Sequence, residues 1–204
     1  MKNLPQRKSI RLKNYDYSTN GFYYITVCTQ NRECLLGEVV SGNMEFNGAG
    51  EMIKNIWGSL PNYYPVELDA FQIMPNHVHF IIQMGRATMR ATTRVARTTP
   101  VGAGFMPARD GDPMPARDDR ATTRVARTLG EIVGGFKSIS TVEYIKNVKN
   151  CGWKPFDKRL WQRNYYEHIV RSEDDLDRIR CYIENNPKMW PDDKNNPKNC
   201  NINL

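Results

Sequence analysis

The sequence predicts an α+β fold in which an antiparallel sheet packs against helices, and three observations predict it. Residues 66–73 and 77–82 are both rich in strand-forming side chains, and only Met74-Pro75-Asn76 joins them. So short a link suits antiparallel neighbours and leaves no room for a crossover helix. Gly21 to Thr29 is long and low in polarity, the composition of a central strand. Three other stretches carry apolar residues at helical spacing behind a capping residue.

The elements follow in order. Tyr15-Asp16-Tyr17 precedes the first strand. Leu35 to Phe46 reads as a short hairpin turning at Ser41-Gly42-Asn43. Asn47 is a good cap for a helix whose face is Met52, Ile53, Ile56, Trp57 and Leu60, stopped by Pro61. Thr128 and Glu131 form a T-x-x-E capping box, opening a helix with Leu129, Ile132, Val133, Phe136 and Ile139 on its apolar face. Gly134-Gly135 costs that helix about 1 kcal/mol per residue against Ala, a cost explained if another backbone or a ligand must approach closely. Lys154 to Trp161 reads as a strand or extended segment. The last helix starts at Ser172 with Glu173, Asp174 and Asp175 in its first turn. Leu176, Ile179 and Ile183 form its buried stripe, and Pro187 ends it. From Met189 onward the composition of Asp, Lys, Asn and Pro reads as disordered.

The chain centres on Pro75-Asn76-His77-Val78-His79. In a strand, side chains alternate between faces, so His77 and His79 share one side about 7 Å apart. Val78, Phe80 and Ile82 face a core. The chain has three histidines, and two of them stand here. Paired imidazoles on one face suit a shared divalent metal, although two half-buried strand histidines, each bonded to a neighbour, would give the same pattern. On the last helix, Tyr182 and Asn186 lie one turn apart on the margin of the buried stripe, from which both can be aimed at the His pair.

Composition sets limits. No apolar run approaches the ~18 residues of a membrane span. The opening residues lack an apolar h-region. Five cysteines without C-x-x-C spacing disfavour a disulfide framework and a zinc ribbon, and fit a reducing cytoplasm. The net charge is +7, of which residues 85–128 contribute +5 through nine Arg and four Asp. Overall basicity is therefore weak evidence for nucleic acid, and local clusters must carry it. Arg7 and Arg11 belong to a basic leader that suits a phosphate backbone or a solvated tail. Lys137 falls where it can reach a phosphate, or remain in solvent. Trp161, Gln162, Arg163, Tyr165 and Arg171 interleave aromatic and polar groups, as base stacking and phosphate pairing require. An aromatic cluster packed under a helix would look similar.

Residues 85–128 are unlike the rest. Arg90 to Thr98 recurs without change as Arg120 to Thr128, and Met106 to Asp110 recurs as Met114 to Asp118. These units are too short and polar to stack a core, so they read as a disordered insertion. The division expected is one domain over 1–190 containing that insertion, then a disordered tail over 191–204.

The ordered set Pro75-Asn76-His77-Val78-His79, Trp161-Gln162, Glu167-His168-Ile169-Val170-Arg171 and Tyr182-Ile183-Glu184-Asn185-Asn186-Pro187 resembles the REP-associated tyrosine transposases, part of the HUH single-strand (IS200-like) transposase superfamily. The resemblance covers most of 7–190 apart from the insertion. It implies a ferredoxin-like antiparallel sheet and a metal-dependent nuclease and strand transferase acting on single-stranded DNA hairpins, with Mg or Mn as cofactor. It implies His77, His79 and Asn186 as metal ligands and Tyr182 as the nucleophile. Monomer and homodimer both stay open, and no membrane partner is implied.

The chemistry expected is direct. A divalent ion stabilises charge growing on a phosphodiester oxygen. A phenol with an ordinary pKa about 10 ionises more readily near a cation, and then attacks phosphorus. The resemblance implies a 5′-phosphotyrosine, with the strand later rejoined by reversal. The competing reading is a hairpin DNA or RNA binder that does not cleave. A histidine-triad hydrolase needs a third alternating His, which Phe80-Ile81-Ile82 does not supply.

Overall fold

The structure, a computed structural model, describes residues 15–85 and 128–199. Arg7, Arg11 and the expected insertion, apart from its ends, lie outside the described residues.

The elements are strands β1 (Gly21–Cys28), β2 (Gly37–Val40) and β3 (Asn43–Phe46), helix α1 (Gly48–Ser59), and strands β4 (Val66–Met74) and β5 (His77–Met84). Helix α2 (Leu129–Cys151), strand β6 (Tyr166–Ile169) and helix α3 (Glu173–Asn185) follow. The main sheet has the order β4-β5-β1-β6 with every pairing antiparallel. Setting aside the β2–β3 hairpin and α3, the chain order β-α-β-β-α-β with this strand order is the ferredoxin-like arrangement.

Alternation along β1 and β5 divides the sheet into two faces. Tyr23, Ile25, Val27, Val78, Phe80 and Ile82 are fully buried in one cluster with residues of α1 and α2. Fully burying a side chain of this kind contributes about 1.5–3 kcal/mol, which makes this the main core. Tyr24 and Ile81 turn the other way and pack with Leu176, Ile179 and Ile183 of α3. The expected core residues of β5 and the stripe of α3 are thus where alternation and helical spacing put them.

The caps also match. Asn47 accepts from the backbone N–H of Ala49 and Gly50. Thr128 and Glu131 complete the capping box, and Ser172 accepts from the Asp175 N–H. Gly135 has a close neighbour, a side chain and not the backbone or ligand expected: a Cβ there would collide with the Tyr64 hydroxyl, whereas one on Gly134 would meet open space.

Three expectations need correcting. Ile139 is exposed, and Ser140 and Tyr144 are buried instead. The buried stripe shifts sideways toward the C-terminal half: at 100° per residue Phe136, Ser140 and Tyr144 lie within about 80° of one another, whereas position 139 falls about 100° from Ser140. Of the two readings of Lys154 to Trp161, strand or extended segment, the strand reduces to a single bridge between Trp161 and Thr29. The fourth strand of the sheet is β6, too short and polar to announce itself. Finally, 191–199 is ordered against the sheet. Trp190–Asp192 forms a 3-10 turn, and the Asn side chains that suggested disorder hold the segment together. Asn196 Nδ2 donates to the Trp190 carbonyl, and Asn199 Nδ2 donates to the carbonyls of Pro191 and Asp193.

Among the described residues no helix is long and apolar enough to cross a membrane, and Cys28, Cys34, Cys151 and Cys181 are free thiols.

Candidate metal and tyrosine centre

His77 and His79 leave the same face of β5, with ring centroids 4.6 Å apart and their Nε2 atoms 2.9 Å apart. Both are almost wholly buried, 0% and 2% exposed. Burial pushes the His77 imidazole down to about 4, with the Asp193 carboxylate opposing. Burial, then the neighbouring His77, holds His79 well below the ordinary histidine value. At neutral pH both rings are uncharged, the state in which imidazole ligates a metal.

Each ring has a partner on its far nitrogen. Asn76 Nδ2 donates to the carbonyls of Arg32 and Asn195. Its Oδ1 is therefore an acceptor, 2.8 Å from His77 Nδ1. His77 carries its proton on Nδ1, and its Nε2 presents a lone pair. His79 Nδ1 lies 2.8 Å from the Tyr24 hydroxyl and 2.9 Å from Thr26 Oγ1.

A third donor comes from the segment after α3. Asp193 Oδ2 is 3.8 Å from His77 Nε2, and ligand atoms of His77, His79 and Asp193 lie within 4.8 Å of one another. Two nitrogens at 2.0–2.1 Å from one ion in neighbouring positions lie about 3 Å apart, which the Nε2 pair matches. Two neutral imidazoles and a carboxylate form a donor set that fits a divalent cation.

Asn186 closes α3, is 2% exposed, and its Oδ1 has no hydrogen-bond partner. One turn earlier, the Tyr182 ring stands 5.5 Å from His79 and 6.3 Å from Tyr24, nearly perpendicular to the latter. Tyr182 is 49% exposed. Burial and then Asp193 push its phenol above the ordinary value, while hydrogen bonds from Asn186 and Tyr24 act the other way.

These groups open into a cleft of about 430 Å³ lined by Tyr24, Thr26, Cys28, His79, Tyr182 and Lys194, with Gln162, Tyr165 and Tyr166 among those facing them. Of the residues singled out for nucleic acid, Gln162 and Tyr165 reach this cleft. Trp161 does not. It is 4% exposed, packs on Phe136, and donates from Nε1 to Ser140 Oγ, so it is a core residue. Lys137 is neither solvated nor free for phosphate. Its Nζ donates to the carbonyls of Gln162 and Asn164 at 3.0 and 3.1 Å and lies over the Tyr165 ring. Arg163 and Arg171 are exposed and outside the cleft lining.

Sequence reading missed Asp193, Lys194, Tyr24 and Thr26. The first two stand in the stretch taken as disordered. The last two were legible by alternation, because Thr26 pairs directly with His79 across the antiparallel register.

No family model matches the chain. An uncharacterised protein of Haemophilus influenzae is 36% identical over 194 residues, covering 92% of each chain. A second protein of that organism, named "Putative REP-associated tyrosine transposase", is 23% identical over 192 residues, 88% of this chain and 84% of that one. A solved REP-associated tyrosine transposase bound to a REP hairpin gives a TM-score of 0.44 at 19% identity, over 87% of this chain and 73% of that one. At that score the likeness carries no part of the assignment. This chain therefore belongs to one family with the uncharacterised relative, 36% identical along nearly its whole length, and is more distantly similar to the protein named as a REP-associated tyrosine transposase.

Proposed function

We propose that the chain is a metal-dependent endonuclease and strand transferase acting on single-stranded DNA hairpins, with Tyr182 as nucleophile. The observation that carries the reading is the position of Tyr182, half exposed in the cleft with its ring 5.5 Å from His79. A tyrosine serving only the core would be buried, as Tyr23 and Tyr144 are.

His77, His79 and Asp193 would hold the ion, with Asn186 Oδ1 as a further donor. A divalent ion, Mg or Mn, would supply positive charge against a non-bridging phosphate oxygen. The remaining work falls to the chain. The Asn76 amide keeps the His77 lone pair facing the site. The α3 stripe fixes Tyr182 beside it, and Asn186 hydrogen-bonds the phenol oxygen. The phenol oxygen attacks phosphorus as the 3′-oxygen of the preceding deoxyribose leaves, and the proton given up by the phenol is balanced by the one the leaving oxygen takes, giving a 5′-phosphotyrosine and a free 3′-OH on the other fragment. Reversal by a 3′-OH rejoins the strand without outside energy, since one phosphodiester replaces another. Gln162, Tyr165 and Tyr166 line the path of the unpaired strand, where exposed aromatic rings stack bases.

The test is incubation with a labelled single-stranded hairpin and Mn or Mg, read on a denaturing gel. A metal-dependent, chelator-sensitive protein–DNA conjugate is expected. Tight hairpin binding with no conjugate under any divalent ion would instead make the chain a non-cleaving binder.

A further inference from the structure

We infer that Asn76 is a positioning residue that seats the C-terminal segment on the sheet and thereby delivers the Asp193 carboxylate to the histidine pair. The inference rests on the reading of His77, His79 and Asp193 as metal ligands given above, and adds how the third of them comes to be there.

The two histidines stand on one face of one strand, so the pleat alone brings them together. Asp193 has no such cause. It lies beyond α3, in a segment whose own side-chain bonds fold it on itself without tying it to the sheet: Asn196 donates to the Trp190 carbonyl, and Asn199 to those of Pro191 and Asp193. Arg32 Nη1 supplies one tie to the body of the fold, donating to the Lys194 carbonyl at 2.9 Å in an exposed position, where water competes for both partners. Asn76 Nδ2 supplies a buried one, donating to the Asn195 carbonyl at 2.7 Å. Losing that bond strands a buried polar group, which costs more than losing an exposed one.

The contacts close into a ring. The Asn195 N–H donates to Asp193 Oδ1 at 2.6 Å. Asp193 Oδ2 faces His77 Nε2 at 3.8 Å, and His77 Nδ1 stands 2.8 Å from Asn76 Oδ1. One amide therefore holds both members of the pair: the imidazole through its oxygen and, by way of Asn195, the carboxylate through its nitrogen. The amide is itself fixed. Asn76 is fully buried, and Nδ2 also donates to the Arg32 carbonyl at 2.9 Å. The backbone carbonyl of Asn76 accepts from the Thr29 N–H and Oγ1 at 2.8 and 3.0 Å. This arrangement needs two donors and an acceptor on one short planar group, which is the inventory of asparagine. Ionised aspartate lacks the donors, and glutamine sets the same group one carbon farther out.

Three measurements test this. In wild-type protein without metal, both Asn76 side-chain N–H protons should exchange with solvent as slowly as the backbone amides of β5. Rapid exchange overturns the inference, whether or not any variant folds. The second is limited trypsin digestion without metal. The bond after Lys194 is shielded while Asn195 and Asn196, both buried, stay seated. Asn76→Ser should speed cleavage there by about tenfold, as one lost hydrogen bond allows, relative to cleavage after Lys146 in α2, which reports opening of the whole fold. An unchanged ratio overturns the inference. The third is calorimetric titration with Mn of wild type, Asn76→Ser, Asp193→Asn and the double variant. Asn76→Ser should weaken Mn binding by roughly tenfold to a hundredfold. Asp193→Asn should cost about tenfold in the wild type and less than about twofold once Asn76 is replaced, because the carboxylate has then already left the site. An equal cost in both backgrounds overturns the inference while leaving the proposed function standing. A wild-type protein that binds no Mn overturns the metal reading and the delivery of a ligand with it, while the exchange and digestion results still decide the seating of the segment.

Discussion

The Tyr182 ring meets the His79 imidazole at 70° and 5.5 Å, although α2, β6 and the whole stretch 86–127 separate them in the chain. The sheet makes the meeting possible. β5 carries the histidines at the centre, β1 and β6 extend the same face, and α3 crosses that face on Leu176, Ile179 and Ile183.

The histidine pair should bind metal in the absence of DNA. Mn at about a hundred times its Kd stabilises a folded protein by roughly 2.7 kcal/mol, readable as a rise in Tm. His79→Ala should lose that rise, and Asp193→Asn should reduce Mn affinity by about tenfold if the carboxylate joins the donor set. Calorimetric titration of the three proteins separates these outcomes; an unchanged affinity in Asp193→Asn removes Asp193 from the set.

Helix α3 is held at the sheet edge by Arg180, whose Nε and Nη2 both bond the Asp69 carboxylate. Asp69 stands where β4 shifts register between Leu68 and Phe71. Asp69→Asn should cost about 1–2 kcal/mol in urea unfolding, a charge-assisted pair discounted for exposure. Conjugate formation should slow as Tyr182 loses its fixed approach. The double exchange Asp69→Arg with Arg180→Asp should restore part of both.

The same pair gives a pH dependence of known sign. Arg180 holds the Asp69 carboxyl below its ordinary 3.8. Its contribution is complete above about pH 4 and is lost as pH falls through the lower folded value. The stability gap between wild type and Asp69→Asn should therefore close on acidification below about pH 4, and a gap that widens there contradicts the assignment.

Two adjacent glycines should answer oppositely to one methyl group. Gly134→Ala meets open space on an exposed helix face and should stabilise by about 1 kcal/mol. Gly135→Ala drives a Cβ into the Tyr64 hydroxyl and should destabilise by about 1–3 kcal/mol. Urea midpoints of both variants check this, and equal shifts would show that Tyr64 moves aside.

Much of this arrangement is legible in the sequence because it depends on local period. Alternation alone separates His77 and His79 from Val78 and Phe80, and helical spacing alone puts Tyr182 and Asn186 together. Tyr24 and Thr26 were open to the same alternation, whereas Asp193 and Lys194 act across distance. Asp193 reaches the site only because Asn side chains fold the segment after Trp190 back on itself, and a run of Asn, Asp and Pro looks the same whether it bonds internally or to water. Trp161 illustrates the converse ambiguity, since an aromatic among polar residues suits a base or a core equally well. Only Ser140, brought beneath it by α2, decides for the core.

The account turns on which oxygen becomes joined to DNA, and mass spectrometry of the digested conjugate reads that directly. Trypsin should release residues 181–188, Cys-Tyr-Ile-Glu-Asn-Asn-Pro-Lys, carrying a 5′-phosphonucleotide on Tyr182, and Tyr182→Phe should form no conjugate while still binding the hairpin. A modification found on Tyr24, Tyr165 or Tyr166, or a conjugate that persists in Tyr182→Phe, would contradict it.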